Sequence, residues 1–138
     1  MPPRILLIDD EPKLCETLKS GLEFTGCFEV FVAHSGKEGI RKAKRLKPDA
    51  ILLDICMPGM DGLAVLRTLK SQYPLEMIPV IMLSSLLDTS VKQECNQEYG
   101  EEYIEKPVGI LELKNRLEAA LQRMGRLPNP GQAAPPPP

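Results

Sequence analysis

Four short apolar runs in this chain each stop on a residue able to do chemistry. Asp9 and Asp10 follow Ile5-Leu6-Leu7-Ile8, Asp54 follows Ala50-Ile51-Leu52-Leu53, Ser84 and Ser85 follow Val80-Ile81-Met82-Leu83, and Lys106 closes the run Tyr103-Ile104-Glu105. Taken alone, Asp54 reads as a helix cap or a solvated loop residue rather than as a chemical group. Gathered in one place, three carboxylates repel one another and take up protons unless a cation sits among them. A hard divalent ion relieves this, and Mg²⁺ (or Mn²⁺) suits a site with few carboxylates and positions left for water and a phosphoryl oxygen. An ammonium is a poor companion for such an ion unless an anion lies between, and a phosphoryl group is the natural one. A carboxylate can itself be the nucleophile. Asp54, alone on its strand, suits that role, while the Asp9-Asp10 pair suits metal. Ser84 could donate a hydrogen bond to the transferred group and report its presence to the helix that follows.

The elements that would bring these residues together alternate along the chain. Arg4 to Ile8 has the unbroken apolar character of a strand covered on both faces. Glu11 and Pro12 open a helix whose Leu14, Leu18 and Leu22 form one apolar stripe and which stops near Gly26. Phe28 to Ala33 is a short strand. Gly36 to Lys47 is a helix with Ile40, Ala43 and Leu46 inward, and its basic run reads as a solvated face or a phosphate-binding patch. Pro48 ends it, and the central strand to Asp54 follows. Asp61 caps a helix carrying Leu63, Leu66 and Leu69 inward. After the strand Pro79 to Leu83, Asp88-Thr89-Ser90 caps a weaker helix with Val91, Cys95 and Tyr99 inward, ended by Gly100. A strand over Glu102 to Ile104 and a helix over Ile110 to Met124, with Leu113, Leu117, Ala120, Leu121 and Met124 on one face, complete the series. Five strand-helix alternations predict an α/β fold, a doubly wound parallel sheet with right-handed crossovers. Parallel strands share one C-terminal edge, so the strand-end residues converge there.

Composition narrows the functions. Across 138 residues, 17 Lys and Arg against 19 Asp and Glu give a net charge of −2, which supplies no electrostatic reason for nucleic acid or an anionic membrane as partner. Trp is absent and aromatics total 4%, which argues against a base-stacking platform. The four cysteines (Cys15, Cys27, Cys56, Cys95) form no CxxC pair and His34 is the only histidine, which argues against zinc and against a Cys-His nucleophile. The thiols read as reduced and mostly buried, in a cytoplasmic protein with no secretion signal and no membrane span. From residue 125 to 138 the Pro-rich composition reads as an extended tail, a linker or a proline-recognition ligand.

Four segments in order, Ile-Leu-Leu-Ile-Asp-Asp-Glu-Pro at 5–12, Leu-Leu-Asp-Ile-Cys-Met-Pro-Gly-Met-Asp-Gly at 52–62, Val-Ile-Met-Leu-Ser-Ser at 80–85 and Tyr-Ile-Glu-Lys-Pro-Val at 103–108, resemble the receiver domain of two-component response regulators. The resemblance covers roughly residues 4 to 124. It implies the CheY-like, flavodoxin-like (βα)5 fold with strand order 2-1-3-4-5, a receiver domain over residues 1–124, and phosphoryl transfer from a sensor histidine kinase to Asp54 in a Mg²⁺-dependent reaction. It further implies metal ligation by Asp10, by Asp9 through water, by Asp54 and by the backbone carbonyl of Cys56. Lys106 and Ser84 with the Ser85 backbone would bind the phosphoryl group, Ser84 and Tyr103 would switch, and the Lys106–Pro107 bond would be cis. The implied role is signalling rather than enzymatic, with at most self-phosphorylation from the donor and slow autodephosphorylation. Cys56 and Leu86 fall where the family tunes phosphate lifetime. Ser84 replaces the family's commoner threonine and keeps the hydroxyl, and the segment Ser71 to Ile78 is slightly long.

Implied partners are the kinase, an output domain or downstream protein, and a second copy through the face of the fourth helix, fifth strand and fifth helix. A haloacid-dehalogenase-like phosphohydrolase would carry a second Asp two residues after its nucleophile, where this chain has Cys56. A flavodoxin-like cofactor domain would carry a Gly-rich or hydroxyl-rich phosphate loop after the first strand, where this chain has carboxylates. The chain reads as a stand-alone receiver or as the first module of a longer protein joined through the Pro-rich segment.

Overall fold

The computed structural model describes residues 2–84 and 102–125. The described residues form strands β1 (Arg4–Ile8), β2 (Glu29–Ala33), β3 (Ala50–Asp54), β4 (Val80–Ser84) and β5 (Glu102–Glu105), with helices α1 (Pro12–Phe24), α2 (Gly36–Leu46), α3 (Gly62–Lys70) and α4 (Ile110–Arg123). The strands are parallel in the order β2-β1-β3-β4-β5. The helix expected over Asp88 to Tyr99, together with Ser85, Leu86 and the Pro-rich tail, lies outside the described residues.

Strand periodicity sorts the core into two layers. Leu6, Ile8, Ile51 and Leu53 pack with Ala43 of α2 and Val65, Leu66 and Leu69 of α3. Their alternate neighbours Ile5, Leu7 and Leu52 pack with Cys15, Leu18 and Leu22 of α1 and Leu113 and Leu117 of α4. Both faces of the central strands are therefore covered, which is why those strands read as unbroken apolar runs. Each fully buried Leu or Ile contributes roughly 1.5–3 kcal/mol.

Local chemistry sets the element ends. Pro12 occupies the first turn of α1, and beyond its end Gly26 adopts φ +76°, as the Gly stop requires. Ser35 caps α2 by accepting from the Glu38 amide, and Asp61 caps α3 by accepting from Ala64 N at 2.9 Å. The α2 helix ends one residue before the expected Lys47, because the following Pro48 disfavours a right-handed helical residue before it; Lys47 instead caps the helix in the left-handed region at φ 47°, its amide donating to the Ala43 carbonyl. The strand expected from Phe28 begins at Glu29. Met124, expected inward, lies past the end of α4 and is 40% exposed. The segment Ser71 to Ile78 holds a cis Tyr73–Pro74 bond and a 3-10 turn at Leu75–Met77 that buries Leu75. Lys70 Nζ anchors it through the carbonyls of Glu76 and Ile78, both at 3.1 Å. Among the described residues no helix is long and apolar enough to cross a membrane.

Candidate functional site

The register of the strands assembles the site. Ile8 pairs with Leu53, so Asp9 and Asp54, the next residue on each strand, emerge side by side at the C-terminal edge. Asp54 pairs with Leu83, so Ser84 is one residue further along, and Ser84 pairs with Glu105, so Lys106 follows at once. Backbone hydrogen bonds run on past the strand ends: Asp9 N donates to Ala33 O at 3.0 Å, Ile55 N to Leu83 O at 3.0 Å and Lys106 N to Ser84 O at 2.7 Å. These bonds hold the candidate site residues on the sheet edge rather than on free loop.

Carboxylate oxygens of Asp9, Asp10 and Asp54 lie within 4.8 Å of one another. Asp9 is fully buried and Asp54 nearly so, while Asp10 is half-buried. Lys106 Nζ reaches Asp9 Oδ2 at 3.1 Å and Asp54 Oδ1 at 3.1 Å. Burial opposes the charge on Lys106, but the carboxylates of Asp54 and Asp9 outweigh it and raise the pKa of the ammonium. Burial also raises the pKa of Asp54, as does the charge of Asp9; Lys106 and the Cys56 amide pull against them, and the value settles at about 6. Three carboxylates facing one ammonium leave a net negative pocket lined by oxygen donors, and this donor set fits a hard divalent cation.

Two aspartates are steadied by the same local device. Glu11 N donates to Asp9 Oδ1 at 3.0 Å, and Cys56 N to Asp54 Oδ1 at 3.4 Å, each an Asp side chain accepting from the amide two residues on. The Asp9 carbonyl accepts from Cys15 Sγ at 3.3 Å and lies 3.3 Å from His34 Nδ1. Burial and the charge of Asp9 push the Cys15 thiol up to about 12, so it acts as a buried neutral donor. Neither Cys15 nor His34 stood out in the sequence, and only their nearness to strand ends could have flagged them. Gly62 packs so tightly behind the site that a Cβ there would stand 2.3 Å from the carbonyl oxygen of Asp54.

The other expected site residues fall as follows. Ser84 is fully buried at the end of β4, and its Oγ has no hydrogen-bond partner among the described residues. Tyr103 lies on the edge strand β5 at 38% exposure. The Lys106–Pro107 bond is cis. Cys56 follows Asp54 by two residues with its side chain exposed, a correction to the expectation of mostly buried thiols. Cys15 is buried and Cys27 half-buried, so of the described thiols only one is fully enclosed. Cys56 is turned outward because Ile55 and Met57 on either side of it fill the core.

Comparison with known proteins identifies the family. The family model described as "Response regulator receiver domain" matches residues 5–118. The chain is 35% identical over 126 residues to the DNA-binding dual master transcriptional regulator RpaA of Synechocystis, covering 91% of this chain and 52% of that protein. It is 36% identical over 123 residues to the transcriptional regulatory protein PrrA of Mycobacterium leprae, with 89% and 52% covered. The chain thus spans about half the length of these relatives. Among solved structures, a response regulator receiver domain protein from Clostridium thermocellum superposes with a TM-score of 0.82 at 31% identity, covering 89% of this chain and 97% of that one. The Francisella response regulator 1452 receiver domain superposes with a TM-score of 0.77 at 34% identity, covering 88% and 98%. On fold, strand-end residues and similarity together, the chain belongs to the response regulator receiver domain family and has the CheY-like fold.

Proposed function

We propose that the chain is a phosphoacceptor that takes a phosphoryl group onto Asp54 from the phosphohistidine of a sensor histidine kinase. An oxygen of Asp54 attacks phosphorus, the P–N bond breaks as the P–O bond forms, and the imidazole leaves as it takes up a proton. A pKa of about 6 leaves Asp54 ionised at neutral pH yet more basic than an ordinary aspartate. Asp9, Asp10, Asp54 and the backbone carbonyl of Cys56 would hold Mg²⁺ (or Mn²⁺), which supplies positive charge opposite the oxygens of the transferred group. Lys106 would turn from Asp54 to a phosphoryl oxygen, and the Ser84 hydroxyl and the backbone of Ser85 would donate to the group as well. Ser84 and Tyr103 would then carry the switch, with Tyr103 moving inward as Ser84 moves.

The observation that carries this reading is the Ser84 hydroxyl, fully buried, one strand over from Asp54, and without an acceptor among the described residues. A buried donor that lacks a partner is costly, and an arriving phosphoryl oxygen would satisfy it. A groove of about 340 Å³ beside Lys106, lined by Leu14, Thr17 and Leu18 on one side and Pro107, Val108 and Ile110 on the other, supports approach of the kinase across α1.

The receiver spans residues 1–124 in this reading, and 125–138 are a linker or tail. Signals would pass to an output domain or downstream protein, and in the relatives named above that output is transcriptional. Pairing of two copies through the fifth strand and the helices flanking it, and action in the cytoplasm, complete the proposal. Intact mass after incubation with acetyl phosphate and Mg²⁺ tests it. Wild type should gain one phosphoryl group, lost in Asp54→Ala and in EDTA, and an adduct that survives Asp54→Ala would overturn the assignment.

A further inference from the structure

The charge of this chain is distributed unevenly. Residues 36–47 carry six of its 17 Lys and Arg and one of its 19 acids, a local charge of +5 that leaves −7 on the remainder. Within α2, Lys42 pairs with Glu38 at 3.1 Å and donates to the Val32 carbonyl, so those charges are used internally. Lys37, Arg41, Lys44 and Arg45 are exposed, and none is in an ion pair with a described residue. Their spacing of i, i+4, i+7 and i+8 sets them along one helix face for about 12 Å.

The four cations border a shallow, open depression that is mostly apolar. With Ile40 and Met60 they line a cavity of about 650 Å³ whose floor is those two apolar side chains. Both floor residues also pack against the core, which fixes their positions. A second hollow, lined by Ser35, Gly36, Lys37, Pro58, Gly59 and Met60, adjoins the first through Lys37 and Met60. Gly36 packs so close that a Cβ there would meet Met60 Cβ at 3.1 Å, so the start of α2 rests on the loop that leaves Asp54.

An apolar floor bordered along one side by a row of cations that are unpaired among the described residues is complementary to an amphipathic helix whose apolar stripe is flanked by carboxylates. A nucleic acid would have no aromatic platform here, and the −7 on the rest of the chain would repel an extended polyanion. We infer that the outer face of α2 is a docking surface for an acidic amphipathic helix of a partner protein.

The test uses the full 138-residue chain and a fluorescein-labelled helical peptide of roughly 14 residues, leucines on one stripe flanked by glutamates. A shuffled peptide of the same composition, a DNA duplex and anionic phosphatidylglycerol vesicles serve as competing probes. At about 50 mM salt the amphipathic peptide should bind at least tenfold more tightly than its shuffled form, and the double variant Arg41→Glu/Lys44→Glu should weaken it at least tenfold. Both substituted residues are exposed, so the fold should persist by circular dichroism, and the parallel double variant Arg41→Gln/Lys44→Gln, which adds no negative charge at the end of α2, should weaken binding as well. Ile40→Ala, which keeps every charge, should also weaken binding. Equal binding of the shuffled peptide, binding indifferent to the double variant, tighter binding of the duplex or vesicles, or no binding would each overturn the inference.

Discussion

Lys106 Nζ stands 3.1 Å from Asp54 Oδ1, joining two strand tips 52 positions apart in the chain. The same ammonium spans to Asp9, so two of the three clustered carboxylates are already partly neutralised by a built-in cation. A divalent ion entering the cluster must share those carboxylates with Lys106 and suffers its repulsion. Replacing Lys106 by Met should therefore destabilise the metal-free protein, because it leaves two buried carboxylates facing one another. It should also enlarge the rise in melting temperature that Mg²⁺ produces. Thermal melts across a Mg²⁺ titration measure both effects, and a smaller rise in the variant than in wild type would show that Lys106 aids the metal instead of competing with it.

Asp54 gives the metal-free protein a definite pH dependence. Its folded pKa of about 6 lies above the ordinary aspartate value of 3.8, so the native state binds this proton more tightly than the unfolded chain does. The stabilisation is complete below the unfolded value and is lost as pH rises through about 6. In EDTA, Asp54→Asn should melt above wild type at about pH 7.5, by on the order of 5 °C, and the gap should narrow at about pH 5. Comparing the two proteins removes the contributions of Glu23 and Glu38, whose pKa values are lowered by bonding to the Val30 backbone and to Lys42 respectively. A gap constant with pH would mean that Asp54 is not strained at neutral pH.

The site was legible in the sequence where one rule decides the outcome. Apolar runs ending on Asp9, Asp54 and Ser84 have to be buried parallel strands, and parallel strands share an edge, so convergence followed from order alone. Asp61 was legible as a cap because its side chain competes only for nearby amides. Long side chains were not legible, since they choose among distant partners of similar energy. Lys70 tying down the 3-10 turn and Lys42 reaching the Val32 carbonyl left no mark in spacing. The outward turn of Cys56 depends on its neighbours filling the core, which composition does not encode.

Gly62 and Gly109 form a matched pair. A Cβ on Gly62 would meet the Asp54 carbonyl oxygen at 2.3 Å and Ile55 Cα at 2.6 Å, both backbone atoms that cannot swing aside, whereas nothing lies within 4 Å of one on Gly109. Gly62→Ala should cost about 1–3 kcal/mol in urea unfolding, while Gly109→Ala should stay within about 0.5 kcal/mol. Because the displaced backbone carries Asp54, Gly62→Ala should also weaken Mg²⁺ binding measured by calorimetry. Equal stability of the two variants would mean that the loop behind Asp54 yields without cost.

Substitution at Ser84 would separate resting stability from the response to a phosphoryl mimic. The Ser84 hydroxyl is enclosed and has no partner among the described residues, and an orphaned polar group of this kind costs about 1–3 kcal/mol. Ser84→Ala removes that cost and leaves only an oxygen-sized gap, so the metal-free variant should be more stable than wild type by about 1 kcal/mol. Beryllofluoride, a phosphoryl mimic, should then stabilise wild type more than the variant, because only wild type gains the missing hydrogen bond. Urea unfolding with and without Mg²⁺ and beryllofluoride reads both effects. A variant less stable than wild type when metal-free would show the hydroxyl already satisfied by solvent, and its retention at a buried position would need another cause. A more stable, less responsive variant would mean that the free energy withheld from the resting fold is released when the hydroxyl meets an acceptor beside Asp54.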